Sequence, residues 1–472
     1  MKLKTQTERV FTMSSSNSSK ISRKGIFFVL VLGSVITSIV STVMSTALPV
    51  IMVDFSIPAS QAQMVTSIYS LVSGIMILAT AFIVKRFPTK NLFFIGMGLF
   101  TVGILFCAMA PTFSIMLLGR IIQGVGYGII ISMTQMVILI IIPSAKRGFA
   151  MGVYGLAVTF APVVAPMIAG VIIDHWGWRV IFWIILLFCL VDFICGAKFM
   201  KNVLENSKPS FDLLSMVLAA IGFTCIVLMA GNMGSYPFMS IQVALLLVIG
   251  LVALVIFSVR QMRIESPLLN LRVFKTRDFT VAVIICMIFY ALMNGMSTII
   301  PILVQTVQGQ SATVFGIVIA PCALITGLMS PVAGKLYDRI GMKPLAMLGT
   351  SLVLISEIST LFVKENMSSY ILIIPLVILG FGMSFVMMNL AAFGMEKLEG
   401  VEKTDGTALM TCLRTIGGAL GAAGFVSLMS VGVTDSNYTI ANVRHSYVGM
   451  VILAVVCVIL AFGFIKSNKK AE

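Results

Sequence analysis

Apolar and polar residues alternate along this chain in long blocks. Mostly apolar stretches recur at about 26–53, 63–84, 91–110, 114–142, 149–173, 180–200, 212–230, 241–259, 279–305, 313–336, 344–363, 370–394, 405–431 and 447–465, with short polar segments between them. A helix needs roughly 20 apolar residues to cross the hydrocarbon of a bilayer. The pattern therefore predicts fourteen transmembrane helices, an even number that returns both termini to one side. One block carries a finer pattern. Within Gly148–Gly170, Ala157, Ala161, Ala165 and Ala169 recur every four residues, and one step along Pro162, Pro166 and Gly170 do the same. Positions four apart share a helix face. This fifth helix thus has a smooth ridge beside a row of helix-distorting residues. The prolines free the carbonyls of Val158 and Pro162, which a membrane helix tolerates where neighbours or local adjustments re-satisfy them.

Composition agrees with the blocks. Of 472 residues, 59% are hydrophobic and 10% charged, against about 25% charged in a soluble protein. The net charge of +15 changes meaning once its distribution is considered. With the N-terminus inside, 27 of the 32 Lys and Arg residues fall in the tails and in alternate loops on the cytoplasmic side. Arg179, Lys364 and Arg444 fall outside, and Arg120 and Arg414 lie within helices. Such asymmetry sets orientation and matches an anionic inner leaflet, so no nucleic-acid partner is required. The eight cysteines lie in apolar runs with no CxxC among them, and His175 and His445 are far apart. Neither disulfides nor a metal centre is expected. Residues 1–24 read as a basic cytoplasmic tail, with Met13 a possible alternative start.

The chain repeats itself at long range. Ala81–Leu92, AFIVKRFPTKNL, aligns with Gly334–Leu345, GKLYDRIGMKPL, so that Arg86 falls on Arg339 and Lys90 on Lys343. Gly148-Phe149-Ala150 likewise falls on Gly406-Thr407-Ala408. The expected organisation is an N-terminal tail (1–25), a six-helix half (26–200), a linker with two extra helices (201–278), a second six-helix half (279–465) and a short cytoplasmic tail (466–472). Parallel repeats of six helices are a transporter pattern.

At this point the chain resembles the major facilitator superfamily, and within it the fourteen-helix drug:proton antiporter branch. The loop signature G-x-L-x-D-R-x-G-x-[KR] is present as Gly334, Leu336, Asp338, Arg339, Gly341 and Lys343. Its first-half copy keeps Arg86 and Lys90 but has Lys85 in place of the aspartate. The fourth helix carries Leu117, Arg120, Gln123 and Gly124, and the fifth carries Ala161-Pro162, Ala165-Pro166 and Ala169-Gly170 in the antiporter motif. Trp178-Arg179, the Pro267-Leu268-Leu269 run, and Arg414 before Gly417-Gly418 also match. Two departures stand out. Val40, Ser41, Thr42 and Ser45 occupy the stretch where the branch has a helix-one acid or amide, and alanines replace three glycines of the fifth-helix motif.

The resemblance implies an all-α polytopic membrane protein that exports small lipophilic, often cationic drugs from a bacterial cell across the plasma membrane. It implies proton exchange by alternating access, no cofactor beyond the proton gradient, and a monomer. No P-loop stands in any soluble segment. A metabolite, peptide or lipid exporter keeps the same fold. A membrane-embedded enzyme needs a catalytic cluster, and the nearest approach, Glu396, Glu399, Glu402 and Asp405, reads as a solvated loop. Candidate residues follow from polarity at membrane depth. A buried arginine costs on the order of 2.5–3.5 kcal/mol on insertion scales, so Arg120 and Arg414 are cavity candidates, with Gln123 a turn from the first. Asp192 and Glu357 are the only carboxylates well inside predicted helices, and such groups can carry a proton reversibly. Their alternative is pairing with a neighbouring hydroxyl or backbone group, Ser356 and Ser359 in the case of Glu357. Asn294, Gln305 and Asn389 are further cavity or interhelical candidates. Lys85, Arg86, Asp338 and Arg339 are gate candidates at the basic helix ends, while Ala161, Pro162, Ala165, Pro166 and Gly170 form a packing surface against the opposite half. Replacing Arg120 by Ala is expected to reduce transport in vesicles more than replacing Arg86 by Ala; the reverse order removes Arg120 from the cavity.

Overall fold

The computed structural model describes residues 23–142, 144–203, 212–233, 236, 239–264, 270–398, 400–433 and 438–465. Met13, the terminal tails and Pro267-Leu268-Leu269 lie outside them, as do the side chains of Lys85, Ala161 and Pro162. Among the described residues, fourteen helices of 19 to 33 residues follow one another. In order they are α1 (Arg23–Asp54), α2 (Met64–Arg86), α3 (Thr89–Ala108), α4 (Phe113–Ile141), α5 (Ser144–Trp176), α6 (Arg179–Phe199) and α7 (Leu213–Asn232). The second group is α8 (Ile241–Arg263), α9 (Arg277–Pro301), α10 (Ala312–Ile340), α11 (Met342–Thr360), α12 (Ile373–Met395), α13 (Gly400–Ser430) and α14 (Ile440–Phe464). Eleven are long and apolar enough to cross a membrane; α2, α5 and α11 fall outside that set, though Val164–Trp176 of α5 is a shorter apolar stretch.

The predicted blocks and the helices agree to within a few residues except at three places. The first is α14, which begins at Ile440 rather than 447 because Thr439 and Asn442 form a reciprocal cap ahead of its polar first turns. The second is α13, which begins at Gly400, so that Glu402 and Asp405 belong to its opening turns rather than to a loop. Acidic residues there favour the positive end of the helix dipole. The third is the end of α9. After Pro301 the helix widens into a π-turn, Ile302–Val307, carrying Gln305. Proline there removes a backbone donor and loosens the regular ladder.

The two six-helix sets pack by one scheme. In each, the first helix lies on the fifth (α1 on α5, α9 on α13), the second on the fourth (α2 on α4, α10 on α12), and the third on the sixth (α3 on α6, α11 on α14). Small residues close the third–fourth contact in both. A Cβ on Gly126 would stand 2.6 Å from the Gly96 carbonyl oxygen, and one on Gly382 would stand 2.7 Å from that of Gly349. Between helices in lipid the driving force is close packing rather than water exclusion, so these bare approaches matter. Each set has its own apolar core. One includes Phe93, Phe100 and Phe182, the other Phe279, Phe289 and Phe315. The sharp loop between α10 and α11 turns at Gly341, with φ of 78°, a region costly for any residue with a Cβ.

The sets meet at two seams, α2 against α13 and α5 against α10. The pair α7–α8 stands outside both sets. Its helices pack on each other, and α7 lies over the α2–α13 seam, where Val227 and Ala230 touch a cluster with Leu71, Ile75, Ala419 and Ala423. The Ser427 hydroxyl donates to the Ala230 and Gly231 carbonyls at 2.6 and 2.8 Å.

The α5–α10 seam is tight at one end and, among the described residues, open at the other. A Cβ on Gly316 would come within 2.6 Å of Met167 Cα, and one on Gly170 within 2.5 Å of the Ala312 carbonyl oxygen. Gly334 lies 18 residues further down α10, five full turns at 3.6 residues per turn and about 27 Å along the axis. It shares the face of Gly316, yet a Cβ there would meet nothing within 4 Å. Gly327 and Gly155 of α5 are likewise open. The seam is therefore shut at the end away from the basic loops and splayed towards them. Gly316→Ala is expected to cost about 1–3 kcal/mol through overpacking and to lower the melting temperature. Gly334→Ala, on the same face, is expected to leave it unchanged or raise it slightly.

Candidate substrate cavity and gates

Arg120 is fully buried near the start of α4. Its Nε donates to the Val65 carbonyl of α2 at 2.8 Å, and Nη1 donates to Gln123 Oε1 at 2.7 Å. The guanidinium lies over the Tyr69 ring, 4.1 Å from its centroid. That ring is fixed in turn, since its hydroxyl donates to the Thr37 carbonyl at 3.0 Å. Gln123 Nε2 reaches Cys107 Sγ at 3.4 Å. The structure thus joins Arg120 and Gln123 in one network and ties both to α2 and α3, with only Nη2 of the guanidinium lacking a partner.

Asp192 and Glu357 are fully buried, and neither carboxylate oxygen of either residue has a hydrogen-bond partner. Asp192 on α6 faces α1 and α3: a Cβ on Gly33 would stand 2.8 Å from its Oδ2 and 3.4 Å from Met97 Sδ. The hydroxyls flanking Glu357 are engaged elsewhere, Ser356 donating to the Pro375 carbonyl at 2.6 Å and Ser359 to that of Ile355 at 2.7 Å. Each acid sits inside its own half, and the structure does not bring the two together. An unpartnered buried carboxyl is strongly disfavoured in its ionised form, which leaves both able to hold a proton.

Between the halves, at mid-depth, lies Arg414. It is the fifteenth residue of α13, half-buried, with its guanidinium 5.0 Å from the centroid of the Tyr290 ring on α9. Among the described residues it makes no ion pair, and its Nε is buried without a partner. Tyr127 on α4 and Tyr154 on α5 lie within electrostatic range of it. Tyr154 is buried, with Gln135 and Ser34 beside its hydroxyl. Tyr127 stacks obliquely on Tyr69, ring centroids 5.4 Å apart. These tyrosines were invisible as candidates in the sequence because they stand within apolar runs and count as apolar there.

The remaining amides are tied to backbone. Asn294 and Asn389 donate to carbonyls one turn back on their own helices, Tyr290 and Phe385, both at 3.0 Å. Gln305 instead crosses between halves, its Nε2 donating to the Thr46 carbonyl of α1 at 3.0 Å. It belongs to a closure at the end away from the basic loops. Ala59 N–H there donates to the Tyr438 hydroxyl at 2.9 Å, and the Ser67 hydroxyl lies 3.2 Å from the Ala419 carbonyl.

The strongest contact of that closure was not singled out from the sequence. Asp174 of α5 accepts the backbone N–H groups of Ala312 and Thr313 at 3.0 and 2.9 Å, together with the Thr313 hydroxyl. Ser311 caps the next N–H, that of Val314, at 3.3 Å. The first turn of α10 is thus capped jointly by its own serine and by a carboxylate from the other half. The signal was available, since Asp174 is one more step of the row Pro162, Pro166, Gly170. That row makes the contact with α10, while Ala165 and Ala169 are buried in the first core. Asp174 lies just beyond the 149–173 span. Burial opposes its charge, but the Thr313 hydroxyl and the two backbone donors outweigh it and hold the carboxyl below its ordinary value. At the basic end, Arg86, Asp338 and Arg339 are exposed. Among the described residues Asp338 makes no ion pair; the pair found there joins Lys397 to Asp278 at 2.6 Å, within one half.

A bundle of two like halves around a polar mid-depth gap, shut at one end only, is the architecture of a secondary transporter. The profile of the Major Facilitator Superfamily matches residues 30–422, and the chain belongs to that family. It is 33% identical over 458 residues to the uncharacterized MFS-type transporter YcnB of Bacillus subtilis, covering 95% of this chain and 97% of that protein. The lincomycin resistance protein LmrB of the same organism is 34% identical, over 91% of this chain and 92% of its own. The riboflavin transporter RibZ of Clostridioides difficile is 27% identical over 94% and 98%. Among solved structures, an inward-facing, unoccupied bacterial homologue of the lysosomal transporter Spinster superposes with a TM-score of 0.65 at 15% identity, covering 94% of this chain and 97% of its own. The protein is a multi-pass membrane transporter, not an enzyme.

Asp174→Ala strips a cap and is expected to cost about 1 kcal/mol. Because its carboxyl is held below the ordinary value, the contact is fully present above the ordinary carboxylate range and fades only as pH falls through the lowered one. The melting-temperature gap between wild type and variant is therefore expected to stay constant from pH 8 to pH 5.

Proposed function

We propose that this protein is a secondary active exporter that moves small lipophilic drugs out of the cell in exchange for protons. The observation that carries the reading is the asymmetric closure. Direct contacts between halves shut one end at Asp174, Gln305, Tyr438 and the Gly170–Gly316 crossing, while the same face of α10 stands free at Gly327 and Gly334. With the basic loops in the cytoplasm, this is an inward-facing state that receives cargo from inside. The kinship with LmrB, named for lincomycin resistance, supports export of drugs. RibZ, named for riboflavin, supports an endogenous metabolite as the second reading.

Proton exchange is assigned to the two buried carboxyls, with Asp192 first. It lies against α1, the helix from which the family's usual acid is missing, at Gly33 rather than at the Val40–Ser45 stretch itself. Protonation lets the group stay buried, and loss of the proton demands water or a cation, which only a rearranged bundle supplies. Arg120 acts as a brace between α2 and α4, and the unpaired Asp338 acts at the inner gate, meeting basic partners when that end closes. The protein works as a monomer, with the bilayer and its cargo as partners. In proteoliposomes with an imposed pH gradient, a drug panel is expected to reveal substrate-stimulated proton flux, and Asp192→Asn to abolish it while the variant still inserts and folds. Flux without a proton requirement, or full activity in the Asn variant, overturns this reading of Asp192.

A further inference from the structure

At mid-depth, among the described residues, stands one cation with no carboxylate paired to it. Arg414 projects there from α13 with no ion pair among the described residues, held only by the Tyr290 ring. The two buried acids are directed elsewhere. Asp192 is packed against Gly33 and Met97 inside the first half. Glu357 lies in the second, fully buried and without a hydrogen-bond partner. Around Arg414 stand three phenols from three helices and both halves, Tyr127, Tyr154 and Tyr290. A site built for a cation presents a carboxylate or an open aromatic face. Here the Tyr290 face is already covered by a guanidinium.

We propose, resting on the transporter reading above, that the central cavity selects small organic anions with a flat apolar body. The acidic group sits on the Arg414 guanidinium, and the body lies among Tyr127, Tyr154 and Tyr290. The chemistry follows from the side chains. A guanidinium offers a planar fork that matches a carboxylate with two parallel N–H···O bonds. The unpartnered Arg414 Nε is the polar atom such a ligand satisfies. Tyrosine rings supply flat, rigid surface with a polar edge. The same arrangement rejects lipophilic cations, because they meet the like charge of Arg414 with no carboxylate to offset it. The missing helix-one acid fits this selection, since the position that would draw a cation into the cavity carries only hydroxyl and apolar side chains.

The test compares two dyes that share one xanthene body and differ in charge, anionic fluorescein and the cationic ester rhodamine 6G. Binding to the full-length protein in detergent is followed by fluorescence anisotropy at pH 7.5. Wild type is expected to bind fluorescein at least tenfold tighter than rhodamine 6G. Arg414→Gln is expected to erase that ratio, Arg414→Lys to keep part of it, and Tyr290→Leu to weaken both dyes. Tighter binding of rhodamine 6G, an unchanged ratio in Arg414→Gln, or no binding of either dye overturns the proposal. Should Arg414→Gln fail to fold, the wild-type ratio and the Lys and Tyr290 variants decide it. The two readings fail separately. Fluorescein bound but not moved by a pH gradient removes proton-driven export and leaves the anion site, whereas gradient-driven export of rhodamine 6G alone removes the anion site and leaves the exporter.

Discussion

The state of this molecule hangs on one crossing, where α5 and α10 come to backbone contact and Asp174 caps the first turn of the helix facing it. Lipid-embedded helices gain little from hiding apolar side chains, since the surrounding chains are just as apolar. What holds them is close approach and polar pairing, and this crossing has both. Gly170 and Gly316 remove the side chains that would keep the backbones apart. Asp174 then places a negative charge at the positive end of the α10 dipole and occupies two N–H groups that the helix itself cannot satisfy. The contact lies at a helix end, next to water. Its donors can be rehydrated when the halves part, so the latch is reversible in a way that a buried ion pair is not.

The two membrane-depth arginines illustrate how the same residue is settled in two ways. Placing Arg120 in the bundle costs on the order of 2.5–3.5 kcal/mol. Two charge-assisted hydrogen bonds, each contributing about 1.5–3 kcal/mol, and a ring beneath the guanidinium offset that cost within the resting protein. Arg120 is thereby a fixed brace. Arg414 has the ring but not the hydrogen bonds. Its cost is not met by its own neighbours, and its Nε is left without a partner. The difference lies in the number of bonds made, not in depth.

Much of the fold was legible in the sequence because a bilayer imposes a coarse code. Block length and Lys/Arg placement specify helices with little help from packing, and the repeated basic loops disclose the two halves. The departures arise where polar residues act as helix caps. Thr439 and Asn442 extend α14 backwards, and Glu402 and Asp405 lie in the opening turns of α13 rather than in a loop. The site was legible only in part. Arg120, Asp192, Glu357 and Arg414 stand out because charge at depth is conspicuous. Their partners do not, because Tyr69, Tyr127 and Tyr290 count as apolar in a hydropathy pattern. Asp174 was one four-residue step past a row already noticed, hidden because it falls where the apolar block gives way to polar sequence. Which neighbour each buried acid faces depends on helix rotation, and that is set by packing between helices distant in sequence, such as the approach of Gly33 to Asp192.

The extra pair α7–α8 leaves the two seams unequal. Helix α7 is laid across the α2–α13 seam and hydrogen-bonded to it through Ser427. The α5–α10 seam has no such strap among the described residues. A clamp with one side bound opens like a book rather than like a tube, with its spine along α2–α13 and its fore-edge along α5–α10. Among the described residues the fore-edge stands ajar towards the basic loops at Gly155, Gly327 and Gly334. Parting of the halves is therefore hinged along α2–α13 and freest along α5–α10.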